Sequence, residues 1–400
     1  MNKMVDTLIL AIVLVTLFAC SPFGSDDESA NGELDVDMAP IQNGNSSQND
    51  IDTQTQEQSA PMSWRDFFKP PPNKKERNLL EKSIIPANGK DDPSKLLDEA
   101  RSLLALGQFD KSEHAYHNLL RIDSDNLQGQ LELTMIYLRK KQTEHAFNLL
   151  EEIKQNLGEL ESIPSSFLFQ YRYTLAIAYE MVGDTHKSHE ILSDLIALDK
   201  TFTPGYAALA SSYLKKGKLE VAEFIIHRGL DRGKEDPALI NLLGVVTEKM
   251  GDLEKAAAWY EKALSLSPNF VPALVNKGIL SLRRYNYENA ENALKQALSL
   301  QSAHIEAHTA LALVYMRTGK SKDAKILLEK VLELDPQNPD SRYNLALLTL
   351  HSLDHPYQAM RLFYEVLQSS GKSSSHLKEL AQSYIDDIKH TNNKKHKEGD

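Results

Sequence analysis

Only one cysteine, Cys20, occurs in 400 residues, so no internal disulfide is possible. Basic side chains are missing from residues 21–64, which carry nine carboxylates (Asp26, Asp27, Glu28, Glu33, Asp35, Asp37, Asp50, Asp52 and Glu57). The formal charge is −11; Lys3 and Asp6 cancel in residues 1–20, and residues 65–400 therefore sum to only −2. That near-neutral body lacks the basic face a nucleic-acid partner requires, and none is expected. Catalytic signatures are missing too: neither G-x-x-x-x-G-K nor G-x-S-x-G occurs. His304-Ile-Glu-Ala-His308 sets its Glu two residues after the first His, whereas zinc proteases set it directly after. No metal, no cofactor and no enzymatic activity are expected. The pairs His114/His117 and His186/His189 stand three apart and read as solvated helix faces.

What is present starts with an address. Lys3 precedes an apolar run at residues 7–19, thirteen long and so short of the ~20 residues a membrane helix needs. The run ends Leu17-Phe18-Ala19-Cys20. This resembles a bacterial lipobox, with residues 1–19 as signal peptide and Cys20 as the lipidated new N-terminus. Asp6 and Phe18 depart from the usual pattern. The other reading is an ordinary signal peptide, or an uncleaved anchor, with Cys20 there by chance. Each buried acyl CH₂ contributes ~0.8 kcal/mol, so several chains hold firmly where one is marginal. Ser21 is not the Asp that often retains such proteins at the inner membrane. The expected location is an outer membrane, lipid-anchored and facing the periplasm, with surface exposure as the variant. Residues 20–92 read as an acidic tether too poor in large apolar side chains to order itself. It holds one short motif, Trp64, Phe67 and Phe68 ahead of Pro70-Pro71-Pro72. The aromatics either cap the first repeat or form a docking motif. A short helix is expected at residues 74–84.

From Pro93 the chain divides every 34 residues: 93–126, 127–160, an insert at 161–168, then 169–202, 203–236, 237–270, 271–304, 305–338 and 339–372, with one extra residue near His355. Position 8 is small throughout: Ala100, Thr134, Ala176, Ala210, Gly244, Gly278, Ala312 and Ala346. So is position 20: Ser112, Ala146, Ser188, Ala222, Ala256, Ala290, Ala324 and, past the extra residue, Ala359. Position 7 is Leu in six frames, position 11 Tyr in four and position 15 Gly in five. Small residues let two helices approach, Leu and Tyr lie one turn apart on the same face, and Gly permits the turn. Each frame is a helical hairpin that cannot bury its apolar face alone.

The period and these columns resemble the tetratricopeptide repeat (TPR) superfamily over residues 93–372. The resemblance implies an all-α fold: a right-handed α-solenoid of about eight hairpins whose first helices line the concave side. Residues 373–389 read as a capping helix and 390–400 as a charged tail.

The concave side is where a partner is expected. Position 13 reads Arg139, Met181, Lys215, Lys249, Arg283, Arg317 and His351. A cation there either offsets the helix dipole, by ~0.3–1 kcal/mol, or belongs to a row that holds an acidic chain. Position 9 is mostly apolar, either packing between first helices or flooring the groove. Tyr173, Asn241 and Tyr343 at position 5, with Asn276 and Asn344 at position 6, are candidates for contacts to a peptide backbone. The predicted groove is thus Tyr173, Lys215, Asn241, Lys249, Asn276, Arg283, Arg317, Tyr343 and Asn344. The resemblance implies a non-enzymatic interaction scaffold, similar to TPR lipoproteins of envelope machines such as type IV pilus assembly or gliding motility. The alternative is a peptidoglycan-associated accessory that recruits or activates a hydrolase. A third is self-assembly, with residues 64–68 filling a groove.

Overall fold

The structure, a computed structural model, describes residues 92–106, 108–157, 165–233, 235–353, 355–368 and 375–397. The expected signal sequence, Cys20, the expected acidic tether, the motif at residues 64–68 and the expected helix at 74–84 lie outside them.

The described residues form helices and turns, with no strand among them. Eight hairpins follow one another: α1 (Pro93–Ala105) and α2 (Phe109–Ile122), α3 (Leu127–Arg139) and α4 (Thr143–Leu157), α5 (Ser165–Met181) and α6 (Thr185–Leu198), α7 (Thr203–Lys215) and α8 (Leu219–Arg232). The series continues with α9 (Pro237–Lys249) and α10 (Leu253–Leu266), α11 (Val271–Arg283) and α12 (Tyr287–Leu300), α13 (Ile305–Arg317) and α14 (Ser321–Leu334), α15 (Pro339–His351) and α16 (Pro356–Gln368). A last helix, α17 (Ser375–Lys397), closes the stack.

Local chemistry explains the starts. Asp92 accepts from the Ser94 amide and Pro93 takes the first helical position, where its missing N–H costs nothing. Asn126, Asp184, Asp236, Asp252, Asn286 and Asn338 cap later helices in the same way.

The small columns set the packing. All sixteen residues at positions 8 and 20 are buried. The first and second helices come so close that a Cβ on Gly244 would lie 2.6 Å from the Tyr260 ring. At Gly278 it would lie 2.6 Å from Leu294 Cγ. In the first hairpin Ser112 Oγ donates across the contact to the Ala100 carbonyl at 2.8 Å. Lys277 stands where most repeats have Leu, and it reaches Glu261 on α10 at 2.7 Å.

Each hairpin packs on the next, and the stack curves. Successive first helices touch one another, whereas successive second helices make no comparable packing. The first helices therefore line the inner face. They bury most of their length, as α9 and α11 do, while second helices such as α10 bury one stripe.

Position 15 adopts the left-handed conformation in repeats 2 to 7. Gly183, Gly217, Gly251 and Gly319 have φ of 83°, 70°, 96° and 75°. Where the glycine is missing the backbone is unchanged: Lys141 and Tyr285 sit at φ 58° and 60°. A side chain in this region costs ~1–2 kcal/mol.

Two expectations need correction. The last helix does not end at Lys389 but runs to Lys397, because no Gly or Pro interrupts it until Gly399. Nor is His189 a solvated side chain. It bonds Ser212 Oγ at 2.7 Å and lies tilted against the Tyr213 ring with centroids 4.8 Å apart, joining α6 to α7. His117 meets Tyr137 Oη at 3.1 Å but stays exposed, as expected. Burial, aided by Lys216 and His186, brings the His189 pKa down from 6.5 to about 4.

Replacing Tyr285 by Gly should raise stability by ~1 kcal/mol, and Gly244→Leu should lower it by ~1–3 kcal/mol through overpacking. Urea unfolding followed by circular dichroism checks both; a Tyr285→Gly midpoint at or below wild type contradicts the strain. The fold favours neutral His189, so its contribution is complete above pH 6.5 and fades as the pH falls towards 4. The stability gap between wild type and His189→Gln should shrink over that window, and a gap independent of pH would exclude the assignment.

Candidate partner-binding groove

The residues expected to line the inner face stand at positions 5, 6, 9 and 13 of the first helices. These positions do not contribute equally, because adjacent first helices cover some of them.

The predicted polar contacts are spent largely inside the protein. Asn276 Nδ2 donates to Asn241 Oδ1 at 2.9 Å, tying α11 to α9, and both side chains are buried. Tyr173 is buried with its ring edge-on to Phe202 at 5.4 Å. Tyr343 and Asn344 do not line the groove. Tyr343 is fully buried between Phe363 and Tyr384, with centroids 5.6 and 6.4 Å away. Asn344 is 1% exposed. The capping helix α17 closes over α15 and α16, so the last repeat has a core side where earlier repeats have an opening.

Apolar position 9 also packs inward. Ile177, Ile279, Leu313 and Leu347 are buried, and only Met135, Ser211 and Val245 are half-buried. The groove therefore has no continuous apolar floor.

The cations at position 13 remain at the inner face, with specific neighbours. Arg139 is exposed, its guanidinium 5.6 Å from the Phe109 ring centroid. Lys215 Nζ lies 3.8 Å from Glu180 Oε1. Arg283 is ion-paired with Glu248, which also accepts from Tyr260 Oη at 2.7 Å. Lys249, Arg283 and Arg317 are half-buried. Burial lowers the pKa of Lys215, against the pull of Glu180, and Lys141 lowers it further. Burial lowers that of Lys249 too, with Glu248 opposing. Both ammonium groups are held where added negative charge would favour their protonated form.

The partners follow a diagonal that column reading misses. Glu180 to Lys215, Asn241 to Asn276 and Glu248 to Arg283 are each one repeat plus one residue apart. A second ionic contact ties the first repeats. Buried Glu132 accepts from Arg101 Nε and Nη2, from Tyr116 Oη at 2.7 Å and from Gln128 Nε2 at 2.7 Å. Two further carboxylates stand at position 2. Burial raises the pKa of Asp340. It also raises that of Glu306, but His304 and the more distant Lys141 outweigh it and the net shift is down.

His304 and His308 serve the fold. His304 Nδ1 lies 3.3 Å from the Ala307 amide it caps, and His308 Nε2 meets the Ser302 carbonyl at 2.8 Å. Among the described residues no three His, Cys, Asp or Glu side chains could hold a metal ion, and no helix is long and apolar enough to cross a membrane.

Comparison with known proteins agrees with this architecture. Residues 97–156 and 309–368 match the tetratricopeptide repeat family, and residues 206–330 match the cilia and flagella-associated protein 70 middle TPR-like domain. The chain is 25% identical over 243 residues to BBSome complex member BBS4 of Bos taurus, covering 61% of this chain and 45% of that protein. A TPR repeat-containing protein of Treponema pallidum is 34% identical over 110 residues, 27% of this chain and 13% of the relative. These matches span less than half of either relative. Among solved structures, the APC/C hetero-tetramer Cut9-Hcn1 aligns with TM-score 0.55 at 17% identity, over 78% of this chain and 58% of that chain, which is a likeness of fold alone. With its eight nested hairpins, its small-residue contacts and these matches, the array is a tetratricopeptide-repeat solenoid.

Proposed function

We propose that this chain is a non-enzymatic scaffold whose inner face holds a protein partner, and that lipid on Cys20 fixes it to an outer membrane. One observation carries the reading. Eight hairpins nest in sequence order and turn every first helix toward one continuous face. Repeat arrays use such extended concave surfaces for binding. The cations at position 13 run along this face in repeats 2 and 4 to 7. Lys215 and Lys249 are held below their ordinary pKa, a cost that an acidic partner would relieve. A partner with carboxylates spaced along an extended segment therefore fits best. The sequence up to Cys20 supports the anchor. In the scaffold reading, capture of the partner near the membrane is the whole mechanism, and it serves a multiprotein envelope assembly of the type IV pilus or gliding-motility kind.

Photo-crosslinking in cells tests the face. A benzoylphenylalanine at Ser211, half-buried at position 9, should give a discrete adduct. One at Ile326, 63% exposed on second helix α14, should not. Equal adducts from both positions, or none from Ser211, would remove the groove as the binding surface. The anchor is tested apart from this: Cys20→Ser should move the protein from the membrane to the soluble fraction, and retention in the membrane would refute lipid attachment.

A further inference from the structure

The two rims of the solenoid carry opposite charge. The turns joining first to second helices form one rim, and those joining one hairpin to the next form the other. Positions 13–18 of repeats 2 to 7 hold twelve Lys or Arg against six Asp or Glu. On the other rim, the sequence of residues 123–128, 199–204, 233–238, 267–272, 301–306 and 335–340 holds eight acids against two lysines.

The basic rim departs from what its turns favour. At position 16, Asp184, Asp252 and Asn286 cap the second helix with their side chains. Lys218 and Lys320 take the same position in repeats 4 and 7 and make no side-chain cap bond. They lose a cap and set a cation against the positive end of the helix. Lys141 stands at a left-handed turn position where four other repeats have Gly. Three unfavourable local choices thus place an exposed cation on one rim. Lys140, Lys216, Arg284 and Lys322 are exposed beside them, though Lys140 already meets Asp110 and Glu113, and Arg284 meets Glu254. Lys320 gains Glu291 at 2.9 Å and lies over the Tyr315 ring, but Lys141 and Lys218 break local rules on the same side, and such departures are the mark of a surface shaped for binding.

We propose that this basic rim docks the chain's own acidic segment, residues 21–64. That segment carries nine carboxylates and no cation. Its last residue is 28 residues from Asp92, an extended reach of about 95 Å. Covalent linkage gives it an effective concentration of ~mM, far above that of a second copy at micromolar protein. Docking covers the edge of the inner face next to position 13, so a partner of the groove competes with the segment for the same cations. The attraction is between exposed charges, and salt screens it within ~8–10 Å.

Lysine footprinting of the full-length chain in detergent tests this without removing a rim cation. An amine-reactive ester is applied to wild type and to a variant with the nine acids of residues 21–64 changed to Asn or Gln. Lys140, Lys141, Lys216, Lys218, Lys320 and Lys322 should react at least about threefold faster in the variant, and Lys154, Lys262 and Lys330, on second helices away from this rim, equally in both. The difference should vanish in molar salt. Equal rim reactivity in the two proteins would overturn the proposal. Protection seen only at the higher of two protein concentrations tenfold apart would assign the contact to a second copy and overturn docking within one chain. A second variant separates binding from stability. Lys218→Asp, which leaves the Lys320–Glu291 pair intact, should raise the melting temperature while exposing Lys140, Lys141 and Lys216. Unchanged protection of those three would also overturn the proposal.

Discussion

The close contact between the two helices of each hairpin governs everything else in this molecule. At Gly244 and Gly278 there is no room for even a methyl group. The distance between packed helices depends on the side chains at the contact, within ~8–10 Å. Residues of one size in two columns therefore give eight hairpins of similar thickness. Similar hairpins stack in a regular step, and a regular step repeats the same facing relation between first helices. The pairing of Glu180 with Lys215 and of Glu248 with Arg283 is a consequence of that step. Widening one contact would shift the register of every later pair.

This also decides what was legible in the sequence. The fold could be read because its cause is a column: the same position, the same size, in each frame. The turns could be read as well, even where Lys141 and Tyr285 replace Gly, because the surrounding columns fix the phase. The groove was harder. Its residues were taken column by column, yet first helices meet along a diagonal. Asn241 and Asn276 looked like two polar groups open to a peptide, whereas they bond each other. The spacing of one repeat plus one residue was present in the sequence, and a search for complementary pairs at that spacing finds all three contacts. Tyr343 had no such signal. Its burial depends on where α17 settles, a tertiary outcome that periodicity does not encode.

The buried ion pairs add something that apolar packing does not supply. The contact between two first helices is largely aliphatic, and aliphatic surfaces tolerate exchange of partners. Glu132 and Glu248 do not. Each is sealed in and satisfied by an Arg from an adjacent first helix and by a Tyr from the second helix of the earlier repeat. Stranding such a carboxylate costs ~3–5 kcal/mol, more than the pair gains over a well-packed apolar substitute. The pairs thus contribute little to net stability and much to the order of the repeats, near the start of the array and past its middle.

The distribution of exceptions carries the last step. At positions 8 and 20 none of the sixteen residues is larger than Thr, because an added side chain there has nowhere to go. At the turn positions exceptions occur, in Lys141, Tyr285, Lys218 and Lys320. A side chain at φ near 60° costs ~1–2 kcal/mol and a missing cap ~1 kcal/mol, sums that a long array bears locally. The same sequence thus holds its core columns fixed and lets its rim vary. Three of these four variations add a cation, and the fourth adds a Tyr that is 60% exposed between Arg284 and Tyr287. Lys320 pairs with Glu291 of the preceding repeat, whereas Lys141 and Lys218 make no such ion pair among the described residues, so the edge is where this array differs from a bare solenoid.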